Sequence, residues 1–89
     1  MGPERFPRQR ERILAQRMDD TLLLLDPHGG QYFALDEVGV RVWGMCDGAH
    51  SVAQMVALLA AEYDAPAATI EADVVELLAE LASEKLVVD

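Results

Sequence analysis

One cysteine, two histidines and five aromatic residues are all that this chain of 89 residues has of its rarer side chains. Cys46 stands alone, so no internal disulfide can form, which fits a reducing compartment. There is no apolar run of about 18 residues to span a membrane, and MGPERFPRQR lacks the apolar stretch of a secretory signal. The expected location is therefore the cytoplasm, with no membrane partner. Catalytic patterns are equally scarce: the chain has no HExxH, no paired cysteines, no Walker glycine loop and no GxGxxG. His28 and His50 both fall in turn sequence without a second ligand at metal spacing, Ser51 reads as a helix cap, and Ser83 reads as a helix end. The Gly29-Gly30 pair is too short a signal for a phosphate site. The expectation is a chain that is not an enzyme and needs no cofactor or metal.

Positive charge is also in short supply, with 7 Lys and Arg against 16 Asp and Glu. Five arginines (Arg5, Arg8, Arg10, Arg12 and Arg17) lie within residues 1–17, which carry +3, so residues 18–89 carry -12. An acidic body repels the phosphate backbone, which argues against nucleic acid as a partner of that body. Residues 1–11, with Pro3, Pro7 and alternating charges, are expected to be a flexible, unstructured basic arm ahead of one domain over residues 12–89.

What the chain does have is apolar residues, 52% of the total, enough for one small core. Ile13–Met18 reads as a weak strand broken by Asp19-Asp20, and Thr21–Leu25 as a short covered strand. Asp26-Pro27-His28-Gly29-Gly30 is a turn, after which Gln31–Leu35 (QYFAL) resumes as a third strand hairpinned to the second. If that third strand is an edge, its outward N–H and C=O groups are unpaired. Asp36 is placed as an N-cap before a first helix carrying Val38, Val42, Trp43 and Cys46 on one stripe and stopped by Asp47-Gly48, with Trp43 and Cys46 expected in the core. Ser51 and Gln54 form a capping box before Val52, Met55, Val56, Leu59 and Tyr63. Asp64-Ala65-Pro66 separates this second helix from a third, which runs from Ala67 or Ile70 to Ser83. Its stripe is Ile70, Val74, Leu77, Leu78 and Leu81, flanked by Glu71, Asp73, Glu76, Glu80 and Glu84. Leu86-Val87-Val88 reads as a final extended segment returning to the core.

Three antiparallel strands followed by three helices define an α+β fold, winged helix-turn-helix-like. Such a shape suggests a DNA-binding regulator, yet the helix that would enter the groove is acidic and has no arginine. A module that dimerises through its open edge is a further possibility.

The runs GGQYFALDEVGVRVW (29–43), CDG (46–48), SVAQMV (51–56) and IEADVVELLAEL (70–81) together resemble the PqqD-like proteins, leader-recognition elements of pathways that modify ribosomally made peptides. The G-x-Y-F-x-L pattern is most similar to the stand-alone recognition proteins of lasso-peptide clusters, and CDG is also typical of PqqD itself. The resemblance implies that a precursor peptide's leader adds as an antiparallel strand to the third strand, in a groove with the third helix. Carried onto this sequence, the main chain of Gln31, Tyr32, Phe33, Ala34 and Leu35 would supply the ladder bonds. Val74, Leu77, Leu78 and Leu81 would offer apolar pockets shared with Tyr32 and Phe33, and Asp73 and Glu76 would form an acidic rim. The implied partners are the precursor peptide and the enzymes it is delivered to: a leader peptidase and cyclase for a lasso role, favoured here, or a radical SAM enzyme for a PqqD role.

Overall fold

A computed structural model describes residues 2–89. The short strand β1 (Arg8–Gln9) precedes β2 (Leu14–Met18), β3 (Thr21–Asp26) and β4 (Gln31–Leu35). The helices α1 (Glu37–Met45), α2 (Val52–Tyr63) and α3 (Ala67–Ser83) follow, and β5 (Val87–Val88) closes the chain. Strands β2, β3 and β4 form an antiparallel sheet in that order, so β4 is an edge. Its register pairs Leu22 with Leu35, Leu24 with Phe33 and Asp26 with Gln31. Three antiparallel strands followed by three helices is the fold expected from the sequence.

The helix starts follow from local chemistry. The Asp36 carboxylate accepts from the Gly39 N–H at 2.9 Å, and at α2 the Gln54 N–H donates to Ser51 Oγ (3.1 Å) while Gln54 Oε1 accepts from the Ser51 N–H (2.7 Å). Each bond satisfies a donor that a helix terminus leaves without an internal partner. The end of α3 is a Schellman-type turn in which the Leu86 N–H reaches the Leu81 carbonyl at 2.9 Å and Lys85 takes a left-handed φ of 61°.

The core lies between the sheet and the helices and contains Leu24, Leu35, Val42, Trp43, Met55, Leu59, Val74, Leu78, Leu81 and Leu86. Trp43 and Cys46 are buried in it, as expected. Burial pushes the Cys46 thiol up to about 12, with the Asp47 carboxylate adding to the effect.

The expected unstructured arm is not what residues 3–10 form. Arg8 and Gln9 pair with Val88 and Val87, and Pro7 is buried. The Gln9 N–H donates to the Cys46 carbonyl (2.8 Å) and the Arg10 N–H to the Leu86 carbonyl (2.9 Å). The carbonyls of Arg5 and Pro3 accept from the N–H groups of Val52 and Ala53, both at 3.0 Å. These two donors belong to the first turn of α2, where no internal acceptor exists. The arm is thus anchored by backbone bonds that its own composition does not announce.

Candidate functional site

Which main-chain groups β4 offers outward follows from its turn. The Asp26 carbonyl accepts from the Gly30 N–H at 2.7 Å, with Gly30 at φ +69°, so the main chain of Asp26 faces β4 and its partner Gln31 faces back. Adjacent residues in an antiparallel ladder alternate between facing the partner and facing away. Gln31, Phe33 and Leu35 are therefore bonded to β3, and the N–H and C=O groups of Tyr32 and Ala34 point away from the sheet along its open side. The turn itself is fixed by the His28 N–H donating to Asp26 Oδ1 at 2.9 Å, a local side-chain bond of the kind that makes Asp favourable there.

Side chains alternate the other way. Leu35 is 2% exposed and Phe33 half-buried on the helix side of the sheet, whereas Tyr32 is 72% exposed on the outer face with Ala34. Tyr32 and Phe33 thus cannot share one pocket, and only Phe33 packs against the core.

On α3 the expected pocket residues divide sharply. Val74, Leu78 and Leu81 are each 1% exposed or less and belong to the core, so the expectation that they present accessible pockets does not hold. Leu77 is half-buried at the edge of the core, with Asp73 exposed one turn before it. Steps of 4, 3 and 4 residues carry that flank from Asp73 through Leu77 and Glu80 to Glu84. Glu84 lines the same cleft as Gln31, so this flank is the one turned toward β4. Glu76 is exposed further round the helix. The structure therefore assembles the Gln31–Leu35 edge, Phe33, Leu77 and Asp73 on one side of the molecule.

Sequence reasoning missed Glu80 and Glu84 as members of this flank, and it marked the arginines of the N-terminal arm as a candidate partner contact without bringing Arg8, Arg10 and Arg12 together with Lys85 at the end of this flank. Helical spacing alone could have supplied the first pair; the second group is brought together by the pairing of β1 with β5, which spans nearly the whole chain.

A hydrogen bond from His50 and the Ala49 N–H holds the Asp47 carboxyl below its ordinary value, and the Arg41 guanidinium, bonded to Glu62 at 2.7 Å, does the same for Glu62. Among the described residues no three His, Cys, Asp or Glu side chains are grouped to hold a metal ion, and no helix is long and apolar enough to cross a membrane.

Known proteins share this fold. The family model described as coenzyme PQQ synthesis protein D (PqqD) matches residues 21–87. A PqqA binding protein of Xanthomonas oryzae pv. oryzae is 44% identical over 75 residues, covering 84% of this chain and 79% of the relative. Among solved structures, TbiB1 in complex with the TbiA(beta) leader peptide superposes with a TM-score of 0.80 at 30% identity, covering 90% of this chain and 93% of that one. The solution structure of the PqqD truncation of Methylobacterium extorquens PqqCD, a stand-alone recognition element for ribosomally synthesized and post-translationally modified peptides, gives 0.77 at 31% identity over the full length of both chains.

Proposed function

The chain belongs to the PqqD family, and from that premise we propose that it binds the leader of a ribosomally made precursor peptide as a fourth strand on β4 and delivers it to modifying enzymes. The observation that carries this reading is the outward-facing main chain of Tyr32 and Ala34 on an edge strand. Beside that edge, Leu77 and Phe33 offer apolar surface and Asp73 carries negative charge. Backbone bonds supply affinity without regard to sequence, and the flanking side chains select. Phe33 and Leu77 favour an apolar residue at alternate positions of the docked strand, and Asp73 and Glu80 favour a lysine or arginine beside it. Val74, Leu78 and Leu81 act beneath this surface, by fixing the height of α3 over the core.

The peptide most in keeping with a 44% identical PqqA binding protein is a PqqA-type precursor, whose consumer in such a pathway is a radical SAM enzyme. A lasso-type leader, handed to a peptidase and cyclase, is the second reading, favoured by the likeness to TbiB1. The PqqA peptide of Xanthomonas oryzae and the TbiA(beta) leader, each fluorescently labelled, are the probes. Saturable binding of either one, with a random-sequence duplex DNA giving none at the same ionic strength, is the expected result. Salt-sensitive duplex binding with no response to either peptide would overturn the proposal and favour a DNA-binding regulator.

A further inference from the structure

Four of the seven cations of this acidic chain, Arg8, Arg10, Arg12 and Lys85, line one open cleft of about 1010 Å³ between the N-terminal segment, the β3–β4 turn and the end of α3. His28, Gln31 and Glu84 line it as well, together with Glu11 and Asp26. Among the described residues none of the four cations is in an ion pair, although carboxylates outnumber them within the molecule. Two of the four also sit where the backbone disfavours them: Arg12 has φ 72° and Lys85 φ 61°. These are left-handed positions that glycine occupies at no steric cost, and Lys85 stands at the helix-terminating position where glycine is the usual residue. Strained residues that persist in such positions cluster at binding sites.

The cleft adjoins one end of the candidate site, and strand direction says which end of a ligand reaches it. β4 runs from Gln31 to Leu35, so an antiparallel strand on its open side runs the other way and leaves the edge beside Gln31 with its C-terminal end. We propose that this cleft receives acidic side chains of the peptide segment immediately C-terminal to the strand docked on β4. The inference rests on the leader-binding reading above and adds a charge order to the ligand. The N-terminal part of the docked strand passes the carboxylate of Asp73, at the end of the α3 flank away from the cleft, and takes a cation there; the residues that follow the strand carry Asp or Glu into the cleft. A peptide with that order is attracted along its whole length, and one with the reverse order is repelled at both ends.

The test uses the shortest N-terminal fragment of the Xanthomonas oryzae PqqA peptide that still shifts the amide signals of Gln31–Leu35, extended by three glutamates, three serines or three lysines. The glutamate tail is expected to bind about three- to tenfold more tightly than the serine tail at low salt, as three exposed charge pairs allow. The lysine tail should bind more weakly than serine, and all three should converge at about 1 M salt, where the screening length falls to about 3 Å. The Arg12→Gly/Lys85→Gly variant should abolish the glutamate advantage while melting no lower than the parent, because glycine suits both backbones. Arg10→Gln, which retains the main-chain bond to Leu86, is the second variant and should reduce the advantage in part. Equal affinity for the three tails, or an advantage that survives in both variants, overturns the inference. In that case the Gln31–Leu35 shifts still stand and the leader-binding reading is untouched; failure of every fragment to shift those amides refutes the reading itself.

Discussion

Ala34→Pro separates the peptide-binding role of β4 from its structural role. Proline removes one N–H and fixes φ near -65°, which sheets tolerate only where the missing donor faces away from the ladder. The Gly30–Asp26 bond places the Ala34 N–H on the open side, so none of the sheet's own bonds is lost and the stability cost is confined to backbone strain, on the order of 1 kcal/mol. A docked strand, however, loses one ladder bond, about 0.5–1.5 kcal/mol, and meets the proline ring where its own carbonyl should lie. Affinity should fall about tenfold or more. Phe33→Pro is the control: Phe33 is paired with Leu24, so its N–H is a bond of the sheet, and orphaning the buried Leu24 carbonyl costs about 1–3 kcal/mol before any strain. That is a large share of the roughly 5–15 kcal/mol that stabilises a small domain. Thermal melts of both variants, with anisotropy titrations of labelled PqqA peptide, give the comparison. If folded Ala34→Pro binds like the parent, or if Ala34→Pro melts as early as Phe33→Pro, the parity assigned to β4 is refuted.

Leu77 and Leu78 are neighbours in sequence with opposite expectations: Leu78→Ala, at a site 0% exposed, should cost about 2–5 kcal/mol in urea unfolding, while Leu77→Ala should cost less stability and more peptide affinity. At Gly39 an added Cβ would come within 3.0 Å of Leu35 Cδ2 and 3.1 Å of Leu35 Cβ, so Gly39→Ala should destabilise by about 1–3 kcal/mol and weaken peptide binding by displacing the end of β4, read by melts and titration. The Cys46 thiol, pushed up to about 12, should resist Ellman's reagent at pH 8 until the chain unfolds. Because its folded value lies above the ordinary thiol value of about 8.5, its contribution to stability is complete below pH 8.5 and is lost as pH rises toward 12; urea midpoints measured across that range should fall.

The parts of the fold legible in the sequence are those written in local chemistry. The capping box at Ser51, the Asp36 cap, the Asp26–Gly30 turn and the period of Ile70, Val74, Leu78 and Leu81 each act within a few residues, and each element formed where they indicated. The anchored N-terminal segment was not legible, because its pairing of Arg8 with Val88 and its bonds to Val52 and Ala53 join residues far apart in sequence. A two-residue strand carries no periodicity. The edge strand was legible as an element, but the division of labour along it was not: which of its N–H groups face outward depends on the turn's hydrogen bond, and which α3 residues are accessible depends on how α2 and the sheet close over that helix. Apolar period alone places Leu77 and Leu78 in one stripe, whereas packing leaves the first at the rim and the second enclosed.

The most direct measurement is amide hydrogen exchange along β4 with and without a leader peptide. Strand addition on the open side must protect the amides of Tyr32 and Ala34 on adding the PqqA or TbiA(beta) peptide, while Phe33 and Leu35, already bonded to β3, change little. An alternating gain at those two residues is the predicted result. Protection confined to other segments, or gained uniformly along β2, β3 and β4 without that alternation, would contradict peptide docking on this edge.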